Sequence, residues 1–363
     1  ETLDVTIWYH EKMNMATADV PALRLVWWQL LVDEINRKLS TANDSSGVPS
    51  AWKLQLDAKD RLRYDKQFAG EPICMLLTGD AGTGKSSLLR HYMAQSPEQS
   101  GHGFVRKPLL VSRIPSKPTL ESTMVELLKD LGQWGSEYRL HRSSAESLTE
   151  ALIKCLKRCE TELIIIDEFQ ELIENKTREK RNQIANRLKY ISETAKIPIV
   201  LVGMPWAAKI AEEPQWASRL MVRRTIPFFK LSEDTESFVR FVMGLAKRMP
   251  FATPPKLEAK HTIFALFASC HGSIRRLKHL LDESVKQALA AHSETLQHEH
   301  IADAFALFYP DQINPFLQPI DEIQTCEVKQ YSRYEIDAAG KEEVLIPTQF
   351  TDKIPISQLL KKR

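Results

Sequence analysis

Apolar residues recur along this chain with two different periods, and the places where the period changes mark out its elements. Short continuous apolar runs over 73–78, 108–113, 162–167 and 198–203, with a shorter one near 223–228, predict strands buried on both faces. Between them the spacing becomes helical, predicting helices over 85–95, 119–131, 146–159 and 179–195. Strand and helix in alternation predict an α/β fold with a parallel sheet covered by helices on both faces. From 231 to 310 only the helical period remains, over 233–247, 257–269, 273–291 and 298–307, which predicts a small, separate helical domain.

The two ends are patterned differently. Leu23, Trp27, Leu31 and Ile35 are four apart, as on one helix face, and Asp19 and Pro21 suit that helix's start. Residues 41–50 are a polar linker rich in Ser, Gly and Pro, and 51–68 read as a second, highly charged helix. Residues 311–363 are polar and weakly patterned, ending Leu359-Leu360-Lys361-Lys362-Arg363, and read as an ordered arm or a partner-binding segment. The expected organisation is therefore an N-terminal helical extension (1–70), an α/β domain (71–230), a helical lid (231–310) and a C-terminal tail (311–363).

Composition changes this picture little. A hydrophobic content of 43% suits a large globular core, and 363 residues suit two or three domains. No stretch approaches the roughly 20 apolar residues of a membrane span. Five cysteines, few and odd in number, read as reduced thiols of a cytoplasmic protein. A net charge of +2 neither demands nor excludes nucleic acid, so any such contact must come from local clusters.

The chemistry is concentrated where strands end. Gly79-Asp80-Ala81-Gly82-Thr83-Gly84-Lys85-Ser86 fills every fixed position of G-x-x-x-x-G-K-[ST], between an apolar run and a helix. Glycines let the chain curl so that several N–H groups meet one phosphate, and the helix N-terminus adds its positive end. Residues 79–87, with Ser87 closing the segment, are the expected cradle for ATP. Lys85 reaches the β- and γ-phosphates and Ser86 ligates Mg²⁺. Downstream, Leu163-Ile164-Ile165-Ile166-Asp167-Glu168 is a buried strand delivering two acids at the sheet edge where ligands of such folds bind. Asp167 is expected to hold Mg²⁺, and Glu168 to polarise an attacking water, which predicts ATP hydrolysis.

Other positions complete the set. The strand 200–203 ends on Met204-Pro205, where many ATPases of this architecture carry a polar residue that positions water. Arg219, just before the last strand, suits a finger reaching the γ-phosphate of a neighbouring subunit, and less so do Arg223 and Arg224. Such a finger needs a head-to-tail interface, which builds a ring or a helical filament. Gly272-Ser273-Ile274-Arg275-Arg276 opens a lid helix. One of Arg275 and Arg276 is expected to face the phosphates and the other solvent, and the sequence does not separate them. Two basic stretches suit sequence-independent contacts to DNA phosphates: Arg113, Lys117 and Thr119, then Lys176, Arg178, Lys180 and Arg181. The second stretch reads equally well as a solvated helix face.

Taken together these motifs resemble the AAA+ P-loop ATPases over residues 71 to about 307. Within them the chain is similar to the TniB/TnsC group of transposition regulators. That closer resemblance is carried by Arg113-Ile114-Pro115-Ser116-Lys117-Pro118-Thr119-Leu120-Glu121-Ser122, the run Leu163–Phe169, Ile197–Gly203 and the Arg219 segment. The resemblance implies ATP-bound subunits that assemble as a ring or filament around duplex DNA, with the loop near Lys117 on the backbone. It also implies a marked target site, a transposase and a separate target-selection protein as partners, and disassembly on hydrolysis. A replication-type initiator or loader and a nucleotide-gated scaffold without turnover are the alternatives. A DNA-reading helix-turn-helix module after residue 307 would favour the initiator.

Overall fold

The computed structural model describes residues 55–56, 62–63, 72, 74–95, 98–101, 104–133, 145–174, 177–335 and 344–359. The helix expected over 20–39, the linker at 41–50 and Lys176 lie outside them.

Two short strands, β1 (Gln55–Leu56) and β2 (Leu62–Arg63), pair antiparallel. A hairpin thus replaces the charged helix expected over 51–68 at those residues. In the sequence, Leu54, Leu56, Leu62 and Tyr64 alternate with polar residues, a period of two that charge density obscured.

The centre is a five-stranded sheet built from β3 (Cys74–Gly79), β6 (Leu109–Arg113), β7 (Leu163–Asp167), β8 (Ile199–Gly203) and β9 (Leu220–Ile226). Its order is β6-β7-β8-β3-β9, and every pairing is parallel. Between β3 and β6 lies an unanticipated hairpin of β4 (Gln99–Gly101) and β5 (Phe104–Arg106). The crossover helices are α1 (Lys85–Gln95), α2 (Leu120–Asp130), α3 (Ala145–Arg158), α4 (Gln170–Glu174) and α5 (Arg178–Ala195). A 3₁₀ segment (Pro205–Glu212) and the short α6 (Pro214–Ala217) lead into β9. β3 and β8 are buried at every position. Register brings the strand ends to one edge: Arg113 pairs with Asp167, Thr78 with Gly203, and Gly79 with Ile226.

Four helices follow: α7 (Leu231–Ala246), α8 (Lys260–Cys270), α9 (Ile274–Ala290) and α10 (His298–Phe308). They form a second core centred on Phe229, Phe238, Phe241 and Phe267, distinct from the sheet's own. Phe229 packs on Phe238 and Phe241 with ring centroids 5.3 and 5.2 Å apart. The turn from α8 to α9 is made by two successive left-handed residues, His271 (φ 50°) and Gly272 (φ 79°), followed by Ser273 as the N-cap of α9.

Beyond α10 the described residues of the weakly patterned chain form short paired strands. Its strands are β10 (Gln324–Thr325), β11 (Val328–Gln330), β12 (Arg333–Glu335), β13 (Val344–Ile346), β14 (Gln349–Phe350) and β15 (Ile354–Pro355), before the one-turn helix α11 (Ile356–Leu359). β10 pairs with β15, β11 with β14 and β12 with β13, so the pairs nest into one antiparallel ribbon. No helix-turn-helix stands here among the described residues. Strands of two or three residues with no long apolar run are why the sequence left this region unread. The ribbon joins both cores: Tyr334 lies in that of the sheet, while Ile323 and Ile356 lie in that of the helices.

Candidate functional site

The phosphate-loop residues occupy the turn between β3 and α1. Gly79 must be glycine because a Cβ there would lie 2.7 Å from Thr83 Oγ1 and 2.9 Å from the Ile226 carbonyl oxygen. Gly82 and Gly84 take φ of 89° and 100°, which lets the chain curl before α1 begins at Lys85. The first-turn amides of α1 therefore open onto the loop, as an anion-binding helix start does. Lys85 Nζ donates to the carbonyls of Gly79 (2.6 Å) and Asp80 (3.0 Å), folding its side chain back over the curl. Burial lowers the Lys85 pKa, while Asp167, Glu168 and Asp80 oppose that shift. Ser86 and Ser87 are exposed at the helix start, Ala81 is exposed, and Thr83 is buried with its hydroxyl on the Asp80 carbonyl at 2.9 Å.

Asp167 and Glu168 end β7 at the same edge. Burial raises the Asp167 pKa, offset by the Glu168 amide, which donates to its Oδ1 at 2.8 Å, and by Lys85. Glu168 is exposed and left-handed, with φ 54°. Its carboxylate accepts a hydrogen bond from Gln170 Nε2, whose own Oε1 accepts from the Met204 amide at 3.1 Å. Gln170 is buried, and β8 ends in glycine to admit it: a Cβ on Gly203 would sit 2.8 Å from Gln170 Oε1. The polar side chain absent from position 204 is thus supplied from α4. Sequence reading missed Gln170, although Asp-Glu-Phe-Gln opposite a strand-end glycine held the clue.

The helical unit closes one side of the loop. The Arg275 amide donates to the Gly82 carbonyl at 3.1 Å, and a Cβ on Gly82 would meet Ser273 Oγ at 2.8 Å. Arg275 and Arg276 are both exposed but act on different groups. The Arg275 charge opposes that of Lys85, whereas Arg276 acts on His271 and Cys270. Arg275 is therefore the one on the phosphate-loop side.

Residues 58–230, which contain this loop and the acidic strand end, match the family described as bacterial TniB protein. This α/β region belongs to the TniB family of AAA-type ATPases. General secretion pathway protein A of Aeromonas hydrophila is 25% identical over 252 residues, covering 68% of this chain and 42% of that protein. The chain therefore spans less than half the length of that relative. Among solved structures, the Aeropyrum pernix ORC2 protein in its ADPNP–ADP complexes has a TM-score of 0.50 at 16% identity, covering 70% of this chain and 67% of that one. Its ADP form gives 0.49 at 18%, covering 66% and 63%. The first of these likenesses establishes the AAA+ fold.

The remaining residues singled out from the sequence fall into two groups. Arg113 is exposed and 3.6 Å from Glu126, and Lys117 is exposed in the loop before α2. Thr119, in the same loop, is the N-cap of α2: its hydroxyl accepts from the Ser122 amide at 3.0 Å in a capping box, so its side chain serves the helix. Arg178 and Lys180 are exposed on α5. Arg181 corrects the reading of that stretch. It is 8% exposed and points inward to Glu213 at 3.4 Å, where Arg178 (3.0 Å) and Asn182 (3.2 Å) also converge. Arg178 and Arg181, one helical turn apart on the same side, meet at Glu213, Arg178 from an exposed position and Arg181 from a buried one. Arg219 is 8% exposed and paired with Glu193 of its own chain. It precedes Leu220, which pairs with Cys74 at the start of β3, so it stands at the sheet edge opposite its own phosphate loop. Arg223 is exposed on β9, and Arg224 is half-buried there. Among the described residues no helix is long and apolar enough to cross a membrane, and no group of three or more His, Cys, Asp or Glu gathers as a metal cluster.

Proposed function

We propose that this protein is a Mg²⁺-dependent ATPase switch that assembles on duplex DNA and controls where a transposase acts. The observation carrying the reading is the gathering of Lys85, Asp167 and Glu168 at one sheet edge beside a glycine-curled loop in a TniB-family domain. ATP would lie with its phosphates on the amides of residues 82–87, Lys85 beside the β- and γ-phosphates, and Arg275 closing from the lid. Support for a nucleotide also comes from the ADPNP and ADP held by the ORC2 structure of like fold.

The donor set fits magnesium: the Ser86 hydroxyl and the Asp167 carboxylate are hard oxygen ligands, few in number, as suits an ion that keeps waters and substrate phosphates. When bound, the ion neutralises charge on the phosphates. Asp167, part-buried with its pKa raised by burial, gains from a cation at that place. Glu168 would orient and deprotonate the attacking water, with Gln170 fixing its carboxylate. Arg219 faces away from its own loop, so any phosphate it meets belongs to another copy, and Glu193 must release it first. That arrangement calls for head-to-tail assembly into a ring or filament. Lys117, Arg113, Arg178 and Lys180 are the exposed cations available to DNA phosphates, a sequence-independent contact. A transposase and a target-selection protein are the expected partners.

The test is electron microscopy and turnover with a random-sequence duplex. Oligomers encircling DNA with a slowly hydrolysed ATP analogue and Mg²⁺, and not without nucleotide, are expected. Glu168→Gln should lengthen their lifetime and abolish phosphate release. Monomers under both conditions would overturn the assembly reading. The hydrogen bond between Gln170 and Glu168, with an apolar Met204 just after β8, favours one second reading, a nucleotide-gated scaffold. Absence of ATP loss even with DNA and transposase present would select it.

A further inference from the structure

Asp80 is an unspecified position of the phosphate-loop pattern, yet it is 2% exposed, and a buried carboxylate requires donors. One is local: the Ala81 amide, 2.8 Å from Oδ1. The others come from the C-terminal ribbon, about 250 residues later in the chain. The Ser332 hydroxyl lies 2.9 and 3.0 Å from the two carboxylate oxygens, and the Ser332 amide is 3.3 Å from Oδ2. The Thr348 hydroxyl also donates to Oδ2 and lies 2.7 Å from that of Ser332.

The ribbon is built to make this contact. Its ladder is interrupted between the β11–β14 and β12–β13 pairs, at 331–332 on one strand and 347–348 on the other. Residue 347 is proline, which has no amide to donate and breaks a ladder. The Ser332 amide, left without a strand partner there, turns to Asp80. Either side of the break, the ribbon is fixed to both halves of the molecule. The Tyr334 hydroxyl donates to the Glu174 carbonyl at 2.9 Å, and its ring stacks on Trp206. On the lid side, Glu327 accepts from the Ser232 amide at 2.8 Å at the start of α7, and Phe350 packs on Phe228 and His271.

We propose that Ser332 and Thr348 are positioning residues for nucleotide binding, holding the phosphate loop through Asp80 so that loop, lid and ribbon respond to nucleotide as one unit. This rests on the loop being the nucleotide site. The Asp80 carbonyl that accepts from Lys85 belongs to the residue the ribbon grips, so the grip sets where the curl and the lysine stand. Without the two hydroxyls, a buried carboxylate beside the incoming phosphates lacks half of its donors and must move toward water, dragging the loop with it. Linkage then requires the reverse: nucleotide on the loop tightens the ribbon.

The test titrates a fluorescent ATP analogue into the full chain as wild type, Ser332→Ala/Thr348→Val, Thr348→Ser and Lys85→Ala, with hydrogen exchange of ribbon amides 328–335 alongside. Expected are a roughly tenfold weaker affinity for the double variant, near wild-type affinity for Thr348→Ser, and a raised KM with kcat retained at saturation. Exchange across 328–335 should slow when nucleotide binds. Wild type and double variant binding within twofold of each other, or ribbon exchange indifferent to nucleotide, would overturn the clamp alone. Wild type binding no better than Lys85→Ala would overturn the nucleotide reading and the clamp with it. Should the double variant not fold, Asp80→Asn, which keeps the shape and removes the charge, is expected to uncouple ribbon exchange from nucleotide; retained coupling would count against the proposal.

Discussion

Gly272→Ala should damage this protein far more than Gly132→Ala, although both glycines are left-handed, with φ of 79° and 86°. The backbone penalty for an L-residue at such φ is about 1–2 kcal/mol and applies to both. Their surroundings differ. A Cβ on Gly132 meets nothing within 4 Å. A Cβ on Gly272 would lie 2.2 Å from the Phe229 carbonyl oxygen and 3.0 Å from both its carbonyl carbon and its nitrogen. The neighbour is backbone, fixed by the Phe229 amide's hydrogen bond to the Gly272 carbonyl at 3.1 Å, and the Phe229 ring is locked among Phe238 and Phe241. Relief needs a shift of about an ångström through a packed core, and overpacking of that kind costs about 1–3 kcal/mol more. We therefore expect about 1–2 kcal/mol lost for Gly132→Ala and about 2–5 kcal/mol for Gly272→Ala, read from urea unfolding by circular dichroism. Because Gly272 precedes the cap of α9, whose Arg275 amide holds the Gly82 carbonyl, nucleotide affinity should fall for the second variant only. Equal losses for the two would show that the close approach of residues 229 and 272 does not govern the lid.

Four further outcomes are expected. Burial, and secondarily Arg276, push the His271 pKa down to about 4. Its unfolded value is about 6.5, so the unfolded chain binds more protons between these values. Stability from this group is full above pH 6.5 and lost as pH falls toward 4, by up to about 3 kcal/mol. His271→Asn, which tolerates the left-handed backbone, should flatten that slope in unfolding measured from pH 7 to 4. Arg181→Ala leaves Glu213 short of a buried partner and should cost about 2–4 kcal/mol in denaturant. Lys117→Ala should leave stability unchanged while weakening DNA binding and reducing the salt slope by about one in a titration across ionic strengths. Arg275→Ala should raise the KM for ATP, and Arg276→Ala should instead raise the midpoint of the His271 titration followed by NMR.

Local pattern determined much of this molecule. Four of the five sheet strands were legible as apolar runs, whereas the edge strand β9, which carries Arg223 and Arg224, begins at Leu220, three residues before its expected start. The longer helices from 85 to 195 and from 231 to 308 were legible from their apolar spacing, whereas the five-residue α4 was too short to show a period. The loop from Gly79 to Ser86 and the acids after Ile166 were legible because each pattern lies in consecutive residues. Tertiary structure decided what depends on distance in sequence. Arg178 and Arg181 on α5 look alike until packing buries one and leaves the other exposed, both reaching Glu213, and Arg275 and Arg276 differ only once the helical unit is set against Lys85. Gln170 acquires its position from a glycine on another strand. The ribbon of 324–355 has strands too short to show a period, and its meaning lies in Ser332 and Thr348 meeting Asp80. A buried carboxylate must find its donors wherever the fold brings them, and no local pattern records which distant hydroxyls those are.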